Sequence, residues 1–154
     1  MIPNGPGTYV LLVALPRNRN LEIGRSGTAD LEPGLYCYVG SALGPGGLAA
    51  RLRRHASSPE RKHWHIDYLL PHARLLGAMA LAGRQRLECR WASWLEEIGG
   101  MCVSRFGASD CRCRGRLFHF GTFSTEHALV DLVRKDLGAR FIHPDDLKPG
   151  ANRS

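Results

Sequence analysis

A chain of 154 residues with 44% apolar side chains can bury one substantial core, and it is too short for two ordinary domains. No apolar run approaches the ~20 residues that a bilayer demands, and the first residues lack the charged start, apolar stretch and small-residue cleavage site of a secretory signal. A membrane role is therefore excluded at this level and a cytoplasmic location expected.

The formal charge of +7 and pI near 9.6 point to an acidic partner. Because 18 of the 21 basic residues are arginine, whose planar fork takes phosphate oxygens in pairs, nucleic acid is the first partner to expect. Five cysteines, an odd number at irregular spacing in a chain that needs no staples, predict free thiols in a reducing compartment.

Residues 7–15 (Gly-Thr-Tyr-Val-Leu-Leu-Val-Ala-Leu) form a continuously apolar, β-rich run ended by Pro16, as suits a central strand covered on both faces. Leu21 to Arg25 alternates apolar and polar, and Pro33-Gly34 turns the chain into a strand from Tyr36 to Gly40, so residues 7–40 read as a three-stranded antiparallel meander. Gly44-Pro-Gly-Gly47 leads into a helix from about Leu48 to Ser57, with Leu48 and Leu52 on its packed side and Arg51, Arg54 and His55 on an exposed one. Pro59 to Lys62 is a polar linker, and Ala73 to Ala82 is a further strand closed by Gly83. Residues 86–98 make a second helix, with Trp91, Leu95 and Ile98 at helical spacing. Ser109 to Arg114 turns into a strand ending at Phe120, and Ser124 caps a third helix that runs to Leu137 with Gly138 at its end. The expected fold is α/β, a small mixed and largely antiparallel sheet flanked by helices, over residues 1–145, with 146–154 as a loose tail.

Gly7-Thr-Tyr9 opens the first strand, Tyr38-Val-Gly40 closes the third, Arg51 comes eleven residues after Gly40, and His55 follows one helical turn later. Singly these motifs say little, but the ordered set resembles the GIY-YIG nuclease superfamily. Tyr38-Val-Gly-Ser-Ala-Leu-Gly-Pro-Gly-Gly-Leu48, His63-Trp-His-Ile-Asp-Tyr-Leu69 and Gly107-Ala-Ser-Asp-Cys-Arg-Cys113 resemble its compact Uri-type branch. The resemblance implies an endonuclease that hydrolyses DNA with Mg²⁺ or Mn²⁺, in repair or processing. It gives Tyr9 a part in activating water, Tyr38 in positioning the attack and Arg51 in gripping the scissile phosphate, and it puts His55 where the superfamily has a tyrosine or histidine.

These residue types suit the reaction, because cutting a phosphodiester needs an activated water, a cation against the crowded negative charge and a positioned leaving oxygen. A phenol with a pKa near ~10 serves as a base at neutral pH only if Arg51 and a metal ion lower it, with His55 sharing the work. The superfamily also needs one carboxylate for the ion. Glu88 is the residue that the sequence favours: three, four and seven positions before Trp91, Ala92 and Leu95, it falls on the stripe expected to face the core, where a carboxylate is costly without a cation. Glu96 and Glu97 read as solvated. Two departures from the superfamily pattern stand out. The interval between Tyr9 and Tyr38 is long, which the Uri-type branch tolerates, and no asparagine follows Glu88 at a sensible distance, Asn152 being in the tail, which leaves Ser109 or Asp110 to replace it.

Arg51, Arg53, Arg54, Arg61 and Lys62 bring five positive charges into twelve residues against the single acid Glu60, which reads as a phosphate-binding surface. Arg112 and Arg114 extend it if Cys111 and Cys113 alternate inward. Two other classes of function stay open. One is a DNA-binding or repair-accessory module that keeps the fold without turnover. The other is a zinc hydrolase built on His63, His65 and Asp67, which an extended strand would present on one face.

Overall fold

The apolar run at residues 7–15 is the central strand, and its neighbours explain why it has no polar face. The computed structural model describes residues 1–57, 59–103, 106, 115–121 and 126–148. Over these the order is β1 (Gly7–Leu15), β2 (Arg19–Glu22), β3 (Thr28–Leu31), β4 (Gly34–Ala42), α1 (Gly47–Ala56), α2 (Ile66–Leu69) and β5 (Arg74–Ala82). There follow α3 (Glu88–Glu97), β6 (Met101–Val103), β7 (Leu117–His119), α4 (Glu126–Leu137) and β8 (Arg140–Ile142). Six strands form one sheet in the order β6-β7-β4-β1-β5-β8, every pairing antiparallel.

Alternation divides β1 between two cores. Tyr9, Leu11, Val13 and Leu15 join Leu48, Leu52, Ile66 and Leu69 on the face covered by α1 and α2. Val10 and Leu12 join Trp91, Leu95, Leu129 and Val133 on the face covered by α3 and α4. The result is a helix–sheet–helix sandwich of one α/β domain, and a strand buried from both sides is apolar on both faces, Thr8 near its start excepted.

The expected meander needs correction. β2 and β3 leave the sheet as a separate two-stranded ribbon, so β1 pairs directly with β4 from Gly7 opposite Ala42 to Leu15 opposite Gly34. Leu21, Ile23 and Leu31 of this ribbon pack into the α1/α2 core, which is what draws it out of the sheet plane. The sheet is antiparallel throughout, and its edge strands β6 and β8 are too short to stand out in the sequence.

Residues 63–65 do not form a strand, and Asp67 lies in α2, so the one-face arrangement assumed for His63, His65 and Asp67 is absent. Packing runs at least to Leu147, which is fully buried, past the expected boundary at residue 145. Cys37 and Cys102 carry free thiols, whereas Cys89 is disulfide-bonded, against the expectation of free thiols throughout. Cys111, Cys113, Arg112, Arg114, Ser109, Asp110 and Ser124 lie outside the described residues. No helix among the described residues is long and apolar enough to cross a membrane.

Candidate active site

The register of β1 on β4 puts Tyr9 opposite Gly40 and Leu11 opposite Tyr38, so both tyrosines point to the α1 face. A side chain at Gly40 would put its Cβ 2.5 Å from the Tyr9 hydroxyl, so the glycine is what lets that phenol lie across β4. Gly7 has a similar reason: a Cβ there would meet the Leu81 carbonyl oxygen at 2.4 Å and Leu48 Cδ1 at 2.5 Å, wedging α1 off the sheet.

On α1, Leu48, Leu52 and His55 face the core, and His55 is 2% exposed. The expectation that His55 shares an exposed face with Arg51 is therefore corrected. The histidine belongs to the packed stripe, while Arg51 flanks it half-buried. Tyr9 Oη and His55 Nε2 are hydrogen-bonded at 2.7 Å, and His55 Nδ1 is buried with no partner among the described residues.

Burial pushes the Tyr9 phenol up to about 12, with Arg51 pulling against it, and brings His55 down to about 3, with Asp67 opposing. Tyr38 is likewise raised, by burial first and by neighbouring Tyr9 second, while Arg116 and Arg51 counter the shift. At neutral pH, with Arg51 beside it, the pair is therefore a neutral phenol against a neutral imidazole.

β7 pairs with β4 only over Tyr36 to Tyr38, after which the Val39 N–H finds the Arg116 carbonyl at 2.9 Å. Since N–H and C=O of alternate residues point to the same side of a strand, the Ser41 carbonyl also points to this open edge. Arg51 satisfies it, Nη1 donating at 2.6 Å. The Ser41 side chain points to the other face, where its hydroxyl donates to Glu88 Oε1 at the start of α3. Glu88 is half-buried at the rim and is not in the core stripe, which begins with Trp91 and Ala92. At this edge, groups from both layers of the sandwich meet.

The meeting place is a cleft of about 440 Å³ lined by Tyr9, Tyr38, Arg51 and Glu88, with Ser41, Trp64, Arg86 and Arg116 also in its wall. Three guanidinium groups face one carboxylate there, a balance that favours an anion. Four of the five residues assigned to chemistry thus line one cleft, and the fifth, His55, stands behind Tyr9. The sequence reading did not single out Ser41, Arg86 or Trp64 as wall residues. The Trp64 ring lies under the Arg51 guanidinium at 4.0 Å and the Arg54 guanidinium at 4.5 Å, close enough for cation–π attraction. The location of Trp64 four residues before Tyr68 in a His/Trp run beside a basic helix is a weak signal; Arg86, two residues before Glu88, is a fairer one.

The basic surface is divided in function. The Asp67 carboxylate accepts backbone N–H bonds from His63 at 2.7 Å and Trp64 at 2.9 Å, and Arg54 Nη1 reaches both its oxygens at 3.0 Å. Burial alone would raise the Asp67 pKa, but the Trp64 and His63 N–H groups and Arg54 outweigh it and hold it low. Arg54 also donates to the Arg61 carbonyl at 2.9 Å, so it fastens the 61–67 turn to α1. Arg53 is half-buried, and Arg61 and Lys62 are exposed, with the Lys62 ammonium 5.8 Å from the Tyr68 ring. The Asp67 carboxylate, committed to backbone and Arg54, does not converge with His63 and His65, whose rings pack on Trp64 and Phe106.

A model of the family described as "Domain of unknown function DUF123" matches residues 8–139, most of the chain and all of this site, so the protein belongs to that family. No curated protein and no solved structure matches it.

Proposed function

We propose that this member of the DUF123 family is a divalent-metal-dependent DNA endonuclease of the GIY-YIG type. The observation that carries the reading is the convergence of Tyr9, Tyr38, Arg51 and Glu88, drawn from two strands and two helices on opposite faces of the sheet, on one anion-favouring cleft. Packing alone requires no such meeting. Phosphodiester hydrolysis does, since it calls for a cation donor, a proton acceptor and a guanidinium around one phosphate.

The residues fit a hydrated Mg²⁺ or Mn²⁺. Such an ion keeps several waters and takes one or two protein carboxylates together with substrate phosphate oxygens. Glu88, steadied by Ser41 at the cleft wall, supplies that carboxylate. Bound there, the ion would neutralise phosphate charge and acidify water.

The chain's own groups do the rest. Arg51 is held by the Ser41 carbonyl and the Trp64 face and offers its remaining donors to the scissile phosphate. As water attacks phosphorus, Tyr9 Oη accepts the water proton while its own proton passes to His55 Nε2, 2.7 Å away. The new P–O bond forms as the far one breaks and the leaving oxygen takes a proton from solvent; the imidazole holds the water's proton only in passing, since burial, Arg51 and Arg54 disfavour its charge and Asp67 alone opposes them. Tyr38 and Arg116 flank the leaving side of the cleft.

Incubating the protein with duplex and single-stranded oligonucleotides under Mg²⁺, Mn²⁺ or chelator tests the reading. Cleavage that stops with chelator and returns with Mg²⁺ or Mn²⁺ alone is expected. DNA left intact under both metals would favour the second reading, a DNA-binding or repair-accessory module. The observation on that side is the resting Tyr9–His55 pair, which burial shifts away from proton exchange at neutral pH.

A further inference from the structure

We propose that Ser41 is a positioning residue that sets the Glu88 carboxylate for its cation, an inference that rests on the metal-dependent reading above. Among the described residues Ser41 joins the two charged arms of the cleft. Its carbonyl takes Arg51 from the α1 layer, and its hydroxyl donates to Glu88 from the α3 layer. Glu88 is the first residue of its helix and only half-buried, so nothing in the core fixes its long side chain. A carboxylate left to sample rotamers binds an ion more weakly than one held in place, because ordering it then falls to the binding step.

A second hydroxyl marks the same patch. Thr8 stands directly opposite Ser41 on β1, at the ~4.5–5.5 Å Cβ spacing of cross-strand pairs. It is 1% exposed, and its Oγ1 has no hydrogen-bond partner among the described residues. The Arg51 contact uses the Ser41 backbone, so a side-chain change at Ser41 separates the two arms: it affects Glu88 and spares Arg51.

The test titrates Mn²⁺ into the full chain holding a non-cleavable oligonucleotide, against the oligonucleotide alone, following the paramagnetic resonance of free Mn²⁺, and measures oligonucleotide affinity separately in chelator. Ser41→Ala should bind Mn²⁺ about 10- to 100-fold more weakly than the wild type, and Ser41→Thr, which keeps the hydroxyl, within about threefold of it. Glu88→Ala should bind none beyond the oligonucleotide's own, and oligonucleotide affinity should be the same for the wild type and both Ser41 variants. Ser41→Ala that binds Mn²⁺ like the wild type while Glu88→Ala has lost it overturns the role of Ser41 alone. A wild type that binds no Mn²⁺ beyond the oligonucleotide's own, or a Glu88→Ala variant that binds it undiminished, overturns the metal reading and this inference together.

Discussion

Gly40 shows most simply how a residue that does nothing chemical can decide the site. Its missing side chain is the space that the Tyr9 hydroxyl occupies. Gly40→Ala should displace the phenol from His55, cost roughly 1–3 kcal/mol as overpacking, and reduce cleavage further than that loss of stability explains. Thermal unfolding and a cleavage assay on the same sample check it; an alanine variant as active as the wild type would mean that Tyr9 is not held by Gly40. His55 makes a separate prediction about pH. Its folded value of about 3 lies below its ordinary value near ~6.5, so the unfolded chain takes the proton first as pH falls. The contribution of neutral His55 is therefore complete above ~6.5 and is lost as pH drops toward 3, at up to ~1.4 kcal/mol per unit. Asp67 is held low, so its own loss comes only below the ordinary carboxylate range. Unfolding midpoints at pH 7 and pH 5 should therefore fall for the wild type and fall much less for His55→Gln.

At the scale of elements, α1 and the 61–67 turn form one device. Asp67 ties the turn, Arg54 ties the turn to the helix, and Trp64 is thereby placed under Arg51. Asp67→Ala should destabilise the protein by roughly 2–4 kcal/mol, somewhat less than the ~3–5 kcal/mol of breaking a fully buried pair because Arg54 still reaches water. Arg53→Ala should leave stability unchanged and flatten the salt dependence of DNA affinity by about 0.9 in log–log slope if it meets one phosphate. Titrations at several salt concentrations, with unfolding curves beside them, separate the two arginines. This division was not legible in the sequence, where Arg53 and Arg54 look alike, since only the fold reveals that Asp67 lies beneath one of them. By contrast β1, β4, β5, α1, α3 and α4 are legible, because their burial leaves a local period in the chain. The β2–β3 ribbon, α2 and the short edge strands owe their form to what packs against them, and a window of a few residues carries no trace of that.

On the scale of the molecule, the cleft exists because the sheet is covered on both faces and β7 stops short of the end of β4. Tyr9, Tyr38 and Arg51 are legible as an ordered set, and Glu88 as an acid at the start of an amphipathic helix, although its place is the rim and not the core. His55 is legible as a residue type and not as a buried one. Ser41 and Arg116 owe their positions to strand register and to the end of β7, which no spacing in the sequence encodes. On the proposed function, residues from opposite layers act on one phosphate, each for a different reason. The most direct measurement is single-turnover cleavage of saturating DNA in Mg²⁺ by the wild type, Arg51→Ala and Glu88→Ala, with binding measured in chelator. Both variants should lose roughly 10²-fold or more in rate, with DNA binding kept by Glu88→Ala and weakened by Arg51→Ala. Cleavage by either variant at the wild-type rate would contradict the assignment of this cleft as the active site.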